Sequence, residues 1–326
     1  MRIAVTGASG FCGSQVARAA AATGAEVLCL GRRPGPTGQH AYWDAAAPVS
    51  AGVRAALREA DLLVHCAAAV GDPAPGSPAE AEQYAVNVAG TERLLTAAAG
   101  RPVVWVSSAS VYDPRLSRHL VREDHPTAGG HLNAYGRTKA VGERLALAAG
   151  AVVLRPRAVY GPGDPHLVPR LLARVRRGVL LLPGGDVDLS LTAVQNLADA
   201  CLAAAGWEGG AYNIADRLPY RRDEAVRQVL RSHGIADPRV VHLPLRAAHF
   251  ATRIARTART VGFDRAAGLT PYAVDQLAHS VVLDTTRARS QGWTPRWDLG
   301  TAFAAGTPTG PAAPTAGSTG PVGAPR

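Results

Sequence analysis

Short apolar runs alternate in the first half of the chain with Ala-rich segments whose apolar positions recur every three to four residues. Arg2–Thr6 is a β-rich run that stops at Gly7, and a helical stretch then continues to about Ala22. Glu26–Leu30 reads as a second buried strand and His40–Trp43 as a weaker third. Helical sequence over Val53–Glu59 leads into a fourth strand at Leu62–Cys66. The same alternation predicts a long helix over Ala79–Ala99, a fifth strand over Pro102–Ser107, a helix over Ala134–Ala149 and a strand at Val152–Leu154. Strands that are apolar throughout, without polar alternation, need cover on both faces, as in a parallel sheet between two helical layers. The expected fold is therefore α/β, a doubly wound parallel sheet with right-handed crossovers, binding its ligands beyond the carboxyl ends of the strands.

Beyond Arg155 the pattern becomes irregular. Helices are expected at Leu167–Arg177, Val194–Ala205, Arg222–His233 and Pro271–His279, separated by Pro- and Gly-containing loops. These predict a smaller C-terminal lobe that covers the strand ends and forms a substrate pocket, with specificity carried by about 244–274. Val187–Thr192 and Ala211–Ile214 are expected to return to the main sheet, so the boundary is interleaved: 1–160 for the first domain and 161–303 mostly for the lobe. Residues 304–326 are Thr, Pro, Gly and Ala without periodicity and read as a disordered tail.

Composition narrows the function. A hydrophobic content of 47% supports a sizeable core. The net charge of +10 is spread over scattered arginines, and aromatic residues make up only 5%, too few to interleave with them as base-stacking platforms. A solvated basic surface that favours anionic cofactors fits better than nucleic-acid binding. Cys12, Cys29, Cys66 and Cys201 lie far apart without metal-ligand spacing, which suggests free thiols in a reducing cytoplasm and no metal site. No signal peptide is apparent, and no run approaches the ~20 apolar residues of a membrane span.

The first candidate site is Gly7-Ala8-Ser9-Gly10-Phe11-Cys12-Gly13, directly after a strand and opening a helix. In that context the first glycine permits the tight turn, the second lets backbone approach a pyrophosphate, and the third lets helix and strand pack closely. A Rossmann dinucleotide site follows, with Gly7, Ser9, Gly10, Phe11, Cys12 and Gly13 as contacts. After the second strand stand Gly31-Arg32-Arg33, with no carboxylate until Asp44. A carboxylate there would bind a ribose 2′-hydroxyl, whereas Arg32 and Arg33 suit a 2′-phosphate, so NADP is expected, with NAD as the alternative. The competing reading is a pair of surface arginines in an Arg-rich chain. Asp44 suits the adenine amino group or an ordinary loop turn.

The second candidate site rests on one residue. Of the 35 basic residues one is lysine, Lys139, four positions after Tyr135 in Tyr135-Gly136-Arg137-Thr138-Lys139. A surface role would accept arginine; a compact ammonium on the same helix face as a phenol suits proton transfer. A solvated Tyr–Lys pair on an exposed helix is the plainer alternative.

Read together, the glycine loop, Ala67-Ala68, Asn87 in Val86-Asn87-Val88-Ala89-Gly90-Thr91, Ser107-Ser108-Ala109-Ser110-Val111-Tyr112, Tyr135/Lys139 and Leu154-Arg155-Pro156-Arg157-Ala158-Val159-Tyr160-Gly161-Pro162-Gly163-Asp164 resemble the extended short-chain dehydrogenase/reductase family. Ala69-Val70-Gly71-Asp72, Leu191–Leu197 and Gly292-Trp293-Thr294-Pro295 are most similar to its bacterial 3β-hydroxysteroid dehydrogenase-like branch, although Ala193 and Gln195 replace the His and Asp expected there. The resemblance implies a secondary alcohol–ketone interconversion on a small, fairly apolar molecule and a homodimer built on the two long helices. Tyr135 would be the acid/base, Lys139 would lower its pKa and hold the nicotinamide ribose, and Ser108, with Ser107 as competitor, would orient the substrate oxygen. Ala67, Ala68 and Pro156 would border the cofactor; Asn87 would fix backbone. Arg157 points toward the pocket or serves a structural role. A sugar-nucleotide epimerase or a non-catalytic NADP-binding protein are the alternatives. A 4,6-dehydratase would need an acid pair after position 108, where the chain has Ala109 and Ser110.

Overall fold

The computed structural model describes residues 1–172, 174–235, 237–260 and 270–304. The tail expected from 304 onward lies outside the described residues beyond Ala304, as does 261–269 of the expected specificity segment. The first strands are β1 (Arg2–Thr6), β2 (Glu26–Gly31), β3 (Gln39–Tyr42), β4 (Leu62–His65), β5 (Val103–Val106) and β6 (Val152–Pro156). With Gly210–Ile214 they form a seven-stranded sheet, ordered from that strand through β6, β5, β4, β1 and β2 to β3. Each neighbouring pair is parallel.

Successive residues of the strands feed opposite faces. Ile3 and Val5 pack with Val64, Val16 of helix α1 (Phe11–Ala22) and Leu197 of the helix Val194–Ala203. Ala4 and Leu63 pack on the other side with Val53 and Leu57 of α2 (Ala51–Arg58). Burial on both faces is the reason the strands read as unbroken apolar runs.

The predicted helix over Ala79–Ala99 forms in three pieces: α3 (Pro78–Tyr84), a π-helical turn over Ala85–Gly90, and α4 (Thr91–Ala97). Gly90 sits against neighbouring backbone, since a Cβ there would lie 2.3 Å from the Ala45 carbonyl oxygen. The wider turn carries Asn87, whose side chain accepts from the Ala69 N–H at 2.8 Å and donates to the Ala69 carbonyl at 2.9 Å and to the Thr138 hydroxyl at 3.0 Å. Asn87 thereby fastens the loop after β4 to helix α5 (Ala134–Ala148). Inserted π turns of this kind re-aim side chains near functional sites.

Two expectations are corrected. Val187–Thr192 does not join the main sheet: Asp188–Leu189 pairs antiparallel with Tyr220–Arg221, and Thr192–Ala193 pairs with Val159–Tyr160. Gly210–Ile214 does extend the sheet, beside β6. The helix expected over Leu167–Arg177 ends at Leu172, and Val175–Arg176 forms a hairpin with Val179–Pro183. Its two linking residues, Arg177 and Gly178, have φ of +50° and +72°, the paired left-handed backbone that a two-residue hairpin turn needs. Arg239–Leu243 adds a third strand, parallel to Val179–Pro183.

Candidate functional site

The carboxyl ends of the central strands open onto a cleft of about 950 Å³. At one end the chain turns at Gly7, with φ +65°, and Gly10 donates back to the Gly7 carbonyl at 2.9 Å. A Cβ on Gly7 would lie 2.8 Å from Ala67 backbone, and one on Gly13 would lie 2.3 Å from the Gly7 carbonyl oxygen. The loop after β4 is thus pressed against the glycine turn. No side chain caps Gly10, and the first turn of α1 carries no acidic residue. Its leading N–H groups and positive end potential suit an anionic diphosphate. Ser9, Gly10, Phe11, Cys12 and Gly13 all line the cleft here, as do Ala67 and Ala68. Arg32 and Arg33, both exposed, stand at its rim beyond β2 with Asp44. The Asp44 carboxylate accepts from the Ala46 N–H at 2.9 Å, closing a loop turn while facing the cleft.

The other end is assembled from the end of β5, the start of α5 and Pro156 at the end of β6. Asn133 caps α5 by accepting from the Gly136 N–H at 2.9 Å. Gly136 lets the helix approach the loop after β5, because a Cβ there would lie 2.7 Å from the Ser110 carbonyl oxygen. Tyr135, Lys139 and Glu143 then follow at four-residue steps along one face. Ser107 donates to the Glu143 carboxylate and is buried. Ser108 caps the turn Ala109–Val111, accepting from the Ser110 N–H at 3.1 Å while its hydroxyl meets that of Ser110 at 3.1 Å. Of the two serines, Ser108 has its hydroxyl on the cleft-side network and Ser107 is committed to the carboxylate behind it.

Lys139 is 2% exposed. Its Nζ donates to the Val106 carbonyl at 2.7 Å and lies 3.6 Å from the centroid of the Trp105 ring. Burial draws this ammonium down to about 7, with Glu143, Cys66 and Cys12 pulling the other way. Glu143 in turn holds the buried Arg155 guanidinium, whose Nε donates to it at 3.1 and 3.2 Å. Arg155 also donates to the Tyr112 hydroxyl at 2.9 Å, and Tyr112 to Asn213 at 2.6 Å. Burial pushes the Tyr135 phenol above its ordinary range, Tyr272 and Cys12 add to that, and a hydrogen bond from Ser108 opposes it. The phenol acidified by Lys139, expected from the sequence, is therefore not what the structure gives. The ammonium is directed at Val106 and Trp105, and desolvation dominates the phenol.

Each candidate residue from the sequence thus borders one cleft. Two contributors were not identified there. Tyr272, from the helix Pro271–Ala278, exchanges a hydrogen bond with the Ser110 hydroxyl at 2.9 Å, and both line the cleft. Nothing local ties a tyrosine at a helix start to a serine 162 positions earlier. Glu143 was legible, since it continues the four-residue spacing of Tyr135 and Lys139.

Among the described residues no helix is long and apolar enough to cross a membrane. The family model described as the NAD dependent epimerase/dehydratase family matches residues 3–215. A 2-alkyl-3-oxoalkanoate reductase of Stenotrophomonas maltophilia (strain K279a) is 33% identical over 265 residues, covering 74% of this chain and 77% of that protein. A 4-hydroxy-2-methyl-3-oxo-4-farnesyl-3,4-dihydroquinoline-1-oxide ketoreductase of Stigmatella aurantiaca is 30% identical over 309 residues, covering 89% of this chain and 91% of that one. Among solved structures, MoeE5 in complex with UDP-glucuronic acid and NAD aligns with a TM-score of 0.69 and 26% identity, over 93% of this chain and 97% of that one.

Proposed function

The chain belongs to the NAD dependent epimerase/dehydratase family, as an extended short-chain dehydrogenase/reductase, and on that premise we propose that it reduces a ketone to a secondary alcohol on a small, fairly apolar substrate. The single observation that carries the reading is the shared cleft: the glycine turn, Ser108, Tyr135 and Lys139 all line it. The named ketoreductase and oxoalkanoate reductase among its relatives support the same chemistry.

The glycine turn and the uncapped start of α1 fit a nicotinamide dinucleotide, and the absence of Cβ atoms at Gly7 and Gly13 keeps that cradle closed. Bound there, such a cofactor supplies the hydride. Arg32 and Arg33 favour NADPH over NADH, because two guanidiniums at the rim can grip a 2′-phosphate. Ser108 holds the substrate oxygen. Tyr135, kept protonated by burial, is the proton donor to that oxygen, which suits the reductive direction. Lys139, which also lines the cleft, supplies a donor toward the cofactor ribose. Val70, Leu167, Leu171 and Leu277 give the substrate end an apolar wall.

The test is cofactor consumption with a panel of ketones, alongside fluorescence titration of NADPH and NADH. Tyr135→Phe should cut turnover by about 100- to 10,000-fold while leaving NADPH affinity within about twofold. Unchanged turnover in that variant would remove Tyr135 from proton transfer, and equal affinity for both cofactors would remove the arginine argument.

A further inference from the structure

We infer that the helix Leu245–Thr260 docks the protein on an anionic bilayer surface, with Phe250 and Ile254 entering the acyl boundary and arginines meeting the lipid headgroups. The inference goes beyond the ketone-reduction reading and does not depend on it.

Residue sizes on this helix are inverted relative to one that serves packing alone. Its inward positions are small: Ala248, Thr252 and Ala255 are buried. Ala248 packs with Val274 and Ala278 of the helix Pro271–Ala278. The large apolar residues face outward, Phe250 at 64% and Ile254 at 55% exposure. One exposed apolar side chain is ordinary, but these two stand a single turn apart on the same face. The chain has four phenylalanines, and this one is left on the surface.

Charge identifies the occupant. Arg246 and Arg253 are exposed, and steps of four and three residues put both beside Phe250. The helix sequence holds four arginines and no Asp or Glu. On the helix beneath, the acidic residue is Asp275, which Arg118 holds through bonds of 2.7 and 2.9 Å. The patch is thus apolar and cationic together, in a chain of net charge +10. That is the make-up of an interfacial helix: an aromatic and an aliphatic group to bury at the acyl boundary, and guanidiniums at the level of the phosphates. Arg246, Ala247, His249, Phe250, Arg253 and Ile254 are exposed over an arc of about 160°. A convex arc of that width offers no groove to a peptide, whereas a bilayer closes around it. Lying on a bilayer differs from crossing one, for which no helix among the described residues is long and apolar enough.

The placement gives this surface a use. Tyr272, Ala273, Gln276 and Leu277 line the cleft, while Val274 and Ala278 of the same helix meet Ala248. One helix therefore stands between the docking helix and the cleft. A docked protein holds the cleft within about two helix diameters, about 20 Å, of a phase in which apolar molecules concentrate.

The test is co-sedimentation of the full chain, in about 0.1 M salt, with vesicles of phosphatidylglycerol and phosphatidylcholine and with vesicles of phosphatidylcholine alone. The wild type should bind the anionic vesicles at least about tenfold more tightly than the neutral ones. Phe250→Ser combined with Ile254→Ser should weaken that binding by at least about tenfold, and Arg246→Gln by about fivefold. No binding by the wild type, equal binding to both lipids, or unchanged binding by the double variant would each overturn the proposal. Sedimentation velocity without lipid addresses the competing occupant. Self-association that the double variant abolishes, with no binding to vesicles, assigns the face to a second copy of the chain and overturns the bilayer. Should the double variant fail to fold, Phe250→Trp decides in anionic vesicles whose acyl chains carry bromine. Fluorescence quenching beyond that of the wild type upholds insertion, and quenching equal to it overturns insertion. None of these readouts uses turnover, so a failure of the ketone-reduction reading leaves them intact.

Discussion

Replacing Lys139 by methionine isolates the cost of holding a charge inside the cleft wall. The ammonium is buried, donates to Val106 and lies over Trp105, and removal from water outweighs these contacts, drawing it from 10.5 to about 7. Below about pH 7 the folded and unfolded chains both carry the proton, and the folded chain bears the full penalty. As pH rises from about 7 toward 10.5 the folded lysine becomes neutral while the unfolded one stays charged, so stability increases over that window. Taking both titration points and about 1.4 kcal/mol per pH unit, the gain between about pH 6.5 and about pH 9 is on the order of 2–3 kcal/mol. Methionine retains the apolar volume and does not titrate. Urea unfolding of wild type and Lys139→Met, without added cofactor, gives the stability difference at each pH. The wild type should gain on the order of 2 kcal/mol relative to the variant across that interval. A difference that stays constant to within about 0.5 kcal/mol would refute the claim that burial dominates this lysine.

Two further substitutions test the framework around it. Gly13→Ala should weaken binding of the nicotinamide cofactor by at least about tenfold and cost about 1–3 kcal/mol, because the new Cβ meets Gly7 backbone that cannot yield like a side chain; a titration matching wild type would refute this. Glu143→Gln should cost about 3–5 kcal/mol in denaturant unfolding, since it leaves the buried Arg155 guanidinium without its counter-charge. A loss below about 1 kcal/mol would show that the pair is not a structural support of the site.

The parts of the molecule that were legible beforehand share one physical property: their information is local. A strand covered on both faces must be apolar along its length, so β1, β2, β4, β5 and β6 were read within a residue or two of their observed bounds. The glycine turn is confined to seven residues, and the Tyr135–Lys139 face follows from the pitch of a helix. What escaped was non-local or set by short-range backbone geometry. The hairpin at Arg177–Gly178 replaced the end of a predicted helix because two consecutive left-handed residues outweighed the apolar spacing around them. Val187–Thr192 was apolar enough for the main sheet but found other partners, which pattern alone does not assign.

The chain's own order of residues determined the layered sheet, the glycine turn and the shared helix face of Tyr135 and Lys139, since each depends on neighbours within one or two elements. Only the tertiary structure decided that Ser107 bonds Glu143 while Ser108 meets Ser110, that Tyr272 joins Ser110, and that Arg157 is buried without an ion-paired carboxylate among the described residues. It also reversed the expected acidity of Tyr135, because desolvation depends on everything packed around a group and no spacing along the chain encodes it.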